Sequence, residues 1–214
     1  SGQTLSLSGL FLRPDAGGLM VGTGASDGSL VGTQPALNVG NWSTNDLAVR
    51  ATVTNRTSAG TLLKSGTGTL TLYGTNTCPG GTEVTGGLLR LPSGGSLGSG
   101  PVKISHATLQ LDGGTVAPAA GNAFCLSMAD ATFYQTAGSL SYNGYAQFQN
   151  AAIILSGGTS YVGTDTLLGW GGTNTATTIG GSHTANWRGT RFSSGSVSVT
   201  LQSGGRLYSD RLYS

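Results

Sequence analysis

Short apolar alternations that return at a nearly even interval between glycine pairs constrain this chain more than anything else in it. In residues 61–114, Leu70 and Leu72 recur as Leu89 and Leu91 and again as Leu109 and Leu111, at intervals of about 19 and then about 20 residues, inside the range that repeat architectures use. The residue between the two leucines is polar each time (Thr71, Arg90, Gln110). An extended chain sends successive side chains to opposite sides, so each leucine pair faces inward and its polar neighbour outward. No segment has the length, or the period of about 3.6 residues, of an amphipathic helix. The predicted fold class is all-β: a single-domain parallel β-helix, or solenoid, with one coil per period.

The signature continues more loosely before this stretch, at Leu5 and Leu7, Leu19 and Val21, Leu37 and Val39, and Leu47, Val49, Ala51 and Val53. Glycines at Gly17-Gly18, Gly22 to Gly24 and Gly28 supply turns, because glycine accepts the positive φ of tight corners. Beyond it, residues 131–135, 139–143 and 152–156 are candidate strands. Residues 157–195, rich in Gly, Thr and Asn and holding Trp170 and Trp187, are predicted to form longer loops on one side. Strand character returns at Val197, Val199 and Leu201. No helical or charged block interrupts the pattern, so residues 1–214 are read as one elongated domain.

The 38 glycines raise the question of disorder, but 37% hydrophobic content in regular alternation supplies a core that a disordered polar tract lacks. Charged residues are only 8% of the chain, where about 25% is usual, so the surface is mostly hydroxyl and amide. A formal charge of +2 with scattered arginines argues against nucleic acid, which calls for a basic patch. No apolar run approaches the roughly 18 residues of a membrane-spanning helix. The start, Ser1-Gly2-Gln3, lacks the features of a signal peptide, so an exported protein would have lost its signal in this mature form. Cys78 and Cys125 are more than two coils apart; rungs of about 4.8 Å against the roughly 4.4 to 6.8 Å a disulfide needs leave a bond and two buried thiols both open.

The eight acidic residues are dispersed, and Asp112 with Asp130 is a pair close to a period apart. Polysaccharide-cleaving chemistry needs clustered carboxylates; aspartates that cap turns are the simpler account. His106 lies within the repeat and His183 in a Gly-Ser-His-Thr context, both read as surface or structural histidines. The glycine strings precede no helix, so they cradle no phosphate, and no catalytic, cofactor-binding or metal-binding residue is expected. Tyr161, Trp170 and Trp187 are a possible aromatic platform for sugars, since rings pair flat apolar faces with polar edges; loop anchoring is the alternative. Asn41-Trp42-Ser43 and Asn55-Arg56-Thr57 match the glycosylation tripeptide, a frequent chance pattern in such a chain. At the end, Arg206-Leu207-Tyr208-Ser209 repeats as Arg211-Leu212-Tyr213-Ser214. No amphipathic helix at either end serves as a cap, and terminal coils ordinarily need one.

Residues 61–114 also carry a motif. Leu63, Lys64, Gly66, Gly68, Thr69 to Leu72, Gly74, Asn76, Thr77, Gly80 to Thr82, Val84, Gly87, Leu89, Leu91, Gly94, Gly95, Leu97 to Gly100 and Val102 resemble the autotransporter-associated β-strand repeat, also called the passenger-associated transport repeat, of bacterial surface proteins. Three departures are that Lys64 stands one place early, Cys78 takes the usual aromatic position, and Pro79 follows it. The resemblance covers about a quarter of the chain and implies a scaffold at the cell surface or outside the cell, with no catalytic residues. The first functional expectation is therefore a structural one, a β-helical stalk or self-assembling filament subunit. In it, copies associate end to end through residues 1–12 and 197–214, with Arg206, Leu207, Tyr208, Arg211, Leu212 and Tyr213 at the contact. The alternative is an adhesin-like passenger that binds glycans or a host surface through residues 157–195, and a polysaccharide-active enzyme is a third.

Overall fold

A computed structural model describes residues 3–7, 9–12, 19–21, 28–32, 35–55, 57–119, 124–171, 173–193 and 195–213. They build a parallel β-solenoid of about eight turns, all strand and turn with no helix. Three stacks of strands run along it. The first face stacks Gly9–Leu12, Ala36–Asn41, Thr61–Ser65, Gly81–Val84, Val102–Ser105, Phe124–Ala129, Tyr145–Gln149, residues 166–168, residues 189–192 and Arg211–Tyr213, each paired in parallel with the next. The second face runs from Leu19–Val21 through Leu47–Val49, Thr69–Leu72, Gly87–Pro92 and later coils to Ala151–Leu155, Thr175–Ile179 and Val197–Leu201.

The third face is uneven. Gln3–Leu7, Gly28–Gly32 and Thr52–Asn55 form one ladder. Single bridges then carry the stack past the Gly- and Ser-rich corners, Thr54 to Thr77, Thr75 to Ser96 and Ser96 to Thr115, before full ladders resume at residues 139–142, 159–162, 184–187 and Arg206–Tyr208. Four long strands (Ala107–Val116, Thr132–Tyr142, Thr159–Leu168 and Thr184–Phe192) bend across an edge and serve two faces each.

The leucine spacing sets the register of the core. Leu70 lies on Leu89, Leu89 on Leu109 and Leu109 on Phe133, while Leu72 lies on Val49 and Leu91 on Leu111. All are buried, and enclosing a side chain of that size contributes about 1.5–3 kcal/mol. The leucines face inward as the alternation predicts, while Thr71, outward in register with Arg90, is itself covered. One inward position breaks the aliphatic rule: Lys64 sits in register between Val39 and Val84 and is fully buried. Its Nζ donates to the carbonyls of Ser65, Gly66 and Gly86 at 3.2, 2.9 and 2.8 Å, so the ammonium joins two successive coils. Burial pushes its pKa down to about 8. Gly66 beside it has φ 81°, and a Cβ there would strike the Asn41 carbonyl of the coil below.

The corner from the first to the second face uses side chains in place of glycine. His106, Asp130 and Asn150 each take positive φ (52°, 50° and 44°), which short polar residues tolerate best. They stack as a ladder in which Asn150 Nδ2 donates to Asp130 Oδ1 at 2.6 Å and His106 Nε2 lies 3.5 Å from Asp130 Oδ2.

Residues 157–195, read from the sequence as longer loops, instead lay three strands across all three faces: Thr159–Leu168, Thr175–Ile179 and Thr184–Phe192. Their inward positions are Ser160, Thr166, Thr175, Thr177 and Thr190 as well as aliphatics, so the periodicity is present but carried by hydroxyl residues that look polar in sequence. No disulfide joins the cysteines; Cys78 and Cys125 are both buried thiols, and burial pushes the Cys78 thiol up to about 11.

Candidate functional site

The outward positions of the first face form a register of their own, in which Ser127, Gln147, Leu167, Arg191 and Tyr213 succeed one another rung by rung. Leu167 is an aliphatic side chain at an outward position, where the polar alternation predicts a hydroxyl or amide. It is covered by what surrounds it: Phe124, Tyr145, Trp170 and Arg191 line, with Leu167, a groove of about 250 Å³.

Each wall has a local cause. Phe124 and Tyr145 open successive strands and are register partners, with ring centroids 5.9 Å apart at 46°, within the range of favourable aromatic pairing. Trp170 stands at the corner after Thr159–Leu168; its backbone N–H donates to the Phe148 carbonyl at 3.1 Å, and the positive φ of Gly169 and Gly171 on either side turns the chain there. The ring lines the groove and is 44% exposed. Arg191 is fixed twice. Its Nε donates to Asp165 Oδ2 at 2.6 Å, and its guanidinium lies 4.6 Å from the centroid of the Tyr213 ring. The Asp165 hydrogen bond raises the Arg191 pKa further above its ordinary value. Charge in the groove is thereby neutralised in place, and Arg191 lines it beside apolar rings.

The platform expected from the sequence is not assembled. Trp187 points into the core at 3% exposure, and its Nε1–H donates to Ser160 Oγ at 3.0 Å. Ser160 Oγ is 3.0 Å from His183 Nε2, and His183 Nδ1 is 2.9 Å from the Gly157 carbonyl. A carbonyl only accepts, so Nδ1 carries the proton and Nε2 accepts from the serine hydroxyl. Burial lowers the His183 pKa, in keeping with a neutral ring. Tyr161 is exposed, but on the third face in register with Ser141, Asn186 and Tyr208. Of the three, Trp170 alone reaches the groove. Phe124 and Tyr145 were missed because each heads a strand beside small residues, and only their spacing of one coil signals that they stack.

The remaining candidates have structural partners. Asp112 accepts from Arg90 at 2.6 Å and from Gln110 and Thr136, which together hold its carboxyl below the usual range against the opposing effect of burial. Asp130 belongs to the corner ladder, so the two aspartates serve different sites. His183 is a core residue and His106 a corner one. Among the described residues no group of three His, Cys, Asp or Glu side chains converges, and no helix is long and apolar enough to cross a membrane. Asn41 and Asn55 are buried with their side chains hydrogen-bonded to backbone, which removes both tripeptides as glycosylation acceptors; Arg56 lies outside the described residues. In the tail, Arg206, Leu207 and Tyr208 close the third-face stack and Arg211, Leu212 and Tyr213 the first; residues 1, 2, 8 and 214 of the proposed contact lie outside the described residues.

The chain is similar to the Adhesin BmaC autotransporter of Brucella suis biovar 1 (strain 1330), with 36% identity over a 120-residue alignment that covers 52% of this chain. It spans about 4% of the length of that curated relative. No protein-family model and no solved structure matches it. The β-solenoid agrees with the passenger repeats of autotransporters, and the likeness implies a cell-surface or extracellular location.

Proposed function

We propose that this chain is a stretch of an adhesive passenger, residues 1–214 forming one domain, in which the β-helix is the stalk and the first-face groove is the contact surface for a glycan. The observation that supports it is the groove itself: Phe124, Tyr145 and Trp170 expose their rings around an outward Leu167, in a column whose neighbouring outward positions are the polar Ser127 and Gln147. Pyranose rings present apolar C–H faces that lie against aromatic rings, and hydroxyls that pair with groups such as the Arg191 guanidinium. No catalysis is required of it, since Asp112, Asp130 and Asp165 each hold a structural partner. Immobilised neutral glycans and host-cell surfaces should retain the protein, and Trp170→Ala should weaken retention about tenfold or more, as losing an aromatic stacking partner does. Retention equal in the variant and the intact protein would refute the groove as the contact.

Association between copies is proposed as a second property. Leu201 and Leu212 occupy inward columns, above Ile179 and Thr190, yet are exposed by 56% and 66%. A further coil, of the same chain or of a second copy, would cover them, and the proposed contact of Arg206, Leu207, Tyr208, Arg211, Leu212 and Tyr213 uses that end. Light scattering of the protein with and without residues 206–214 tests it. Concentration-dependent growth in mass that is lost on truncation supports it, and equal behaviour of the two forms refutes it.

A further inference from the structure

The first face carries a second aromatic station, far from the groove. Phe11 and Trp42 stack with centroids 6.2 Å apart at 28°, and they are exposed by 60% and 42%. Phe11 lies outward in register with Gly40, whose missing side chain leaves room for the Trp42 ring to fold back onto the face. Trp42 follows Ala36–Asn41 and Trp170 follows residues 166–168, so both tryptophans leave from the same corner, between the first and second faces. Those two strands are six steps apart in the stack, with Thr61–Ser65, Gly81–Val84, Val102–Ser105, Phe124–Ala129 and Tyr145–Gln149 between them. At about 4.8 Å per rung the stations are roughly 29 Å apart along the axis.

Between them runs one unbroken outward column: Leu63, Glu83, Lys103, Ser127 and Gln147. It offers hydroxyl, amide and charged hydrogen-bonding groups at every rung after Leu63. Glu83 and Lys103 oppose one another in sign on adjacent rungs and line a small cleft with Thr61, Gly80, Thr82 and Pro101, while Asp165 and Arg191 are paired at the far end. The track is therefore long, narrow and electrically balanced, with rings at both ends.

We infer that the occupant is a linear, neutral polysaccharide lying along the first face parallel to the helix axis, held at both aromatic stations at once; this rests on the glycan reading of the groove. Three properties of the track select it. An extended glycan repeats at a distance close to the rung spacing of about 4.8 Å, so successive sugars meet successive side chains. Balanced charge does not attract an acidic polymer. A peptide strand has no place to add, because the backbone groups of these inner strands are already paired with the coils above and below.

The test is a chain-length series of β-1,4-linked glucose and N-acetylglucosamine oligosaccharides, from dimer to octamer, titrated by calorimetry against the intact protein, Trp42→Ala and Trp170→Ala. Both tryptophans are exposed, and circular dichroism checks that each variant keeps its strands. Joining two weak stations through one ligand raises affinity by about a hundredfold or more, so octamers should exceed dimers by at least that factor. Trp42→Ala should abolish the gain with length while leaving dimer binding at the groove unchanged, and Trp170→Ala should weaken both. Affinity independent of length, or a Trp42→Ala variant that keeps the full gain, overturns the two-station mode and leaves the groove reading standing. Failure of every oligosaccharide, dimers included, overturns both. A host protein that binds and is released by Trp170→Ala, where no sugar does, overturns the choice of occupant.

Discussion

Residues 61–114 and residues 124–192 are laid on the same stack, yet they differ inside and out. The first stretch fills its interior with aliphatic columns, Leu70, Leu89 and Leu109 above one another, exposes no large aromatic side chain, and crosses the third face by single bridges. The second packs Phe133, Tyr142, Phe148 and Trp187 among buried hydroxyls, pairs fully on the third face, and exposes Phe124, Tyr145 and Trp170 on the first. Coil stacking depends on backbone pairing and inward volume alone, so the outward positions are left to vary. The regular stretch exposes no aromatic ring, and the less regular one carries the groove.

Core truncations should show the largest effects and sharpen this contrast. Trp187→Ala removes a ring and one of the two hydrogen bonds of buried Ser160, and a loss of about 3–5 kcal/mol in urea unfolding is expected; Leu89→Ala should cost about 2–5 kcal/mol. Because neighbouring coils couple more strongly than distant ones, hydrogen exchange should place each loss mainly in its own stretch. Uniform loss of protection along the chain would break the distinction between the two.

Smaller, and opposite in direction, are the pH effects. Unfolded Lys64 titrates near 10.5 and folded Lys64 near 8; between them the unfolded chain binds the extra proton, so stability rises with pH in that window. Cys78, raised from 9.0 to about 11, works the other way above pH 9, so the interval from about 8 to 9 isolates the lysine. Lys64→Met should remove that rise. His183 is also lowered, from 6.5, so its contribution is present above that pH and is lost as pH falls through the folded value. Acid should therefore loosen residues 157–187 first, and a His183→Gln variant that keeps the same acid sensitivity would refute this assignment. Smallest of all, Trp170→Ala should change stability by no more than about 0.5 kcal/mol, as exposed positions do; a larger loss would make Trp170 a core element.

What the sequence discloses tracks this same divide. Leu70, Leu89 and Leu109 announce their register, because aliphatic residues at a fixed interval have one cheap arrangement. Strands at Thr159–Leu168, Thr175–Ile179 and Thr184–Phe192 do not, because Ser160, Thr166 and Thr177 face inward where composition suggests a loop. Trp170 was legible as a surface ring and Trp187 was not legible as core, since an indole suits both and only its neighbour Ser160 decides. Lys64 could be read as a motif position, but its burial depends on carbonyls from two coils, a contact no local pattern displays.

The bonds between successive coils run along the length of the molecule, parallel to its axis, and this sets how it yields to force. A pull between its ends loads one ring of bonds at a time, so coils open in sequence and not all together. Each opened coil frees about 20 residues, some 65 Å of slack at about 3.3 Å per residue, in place of a single rung. A tether built this way lengthens in steps at nearly constant tension, and a contact on its side is shielded from sudden strain until the coils that hold it are themselves drawn out.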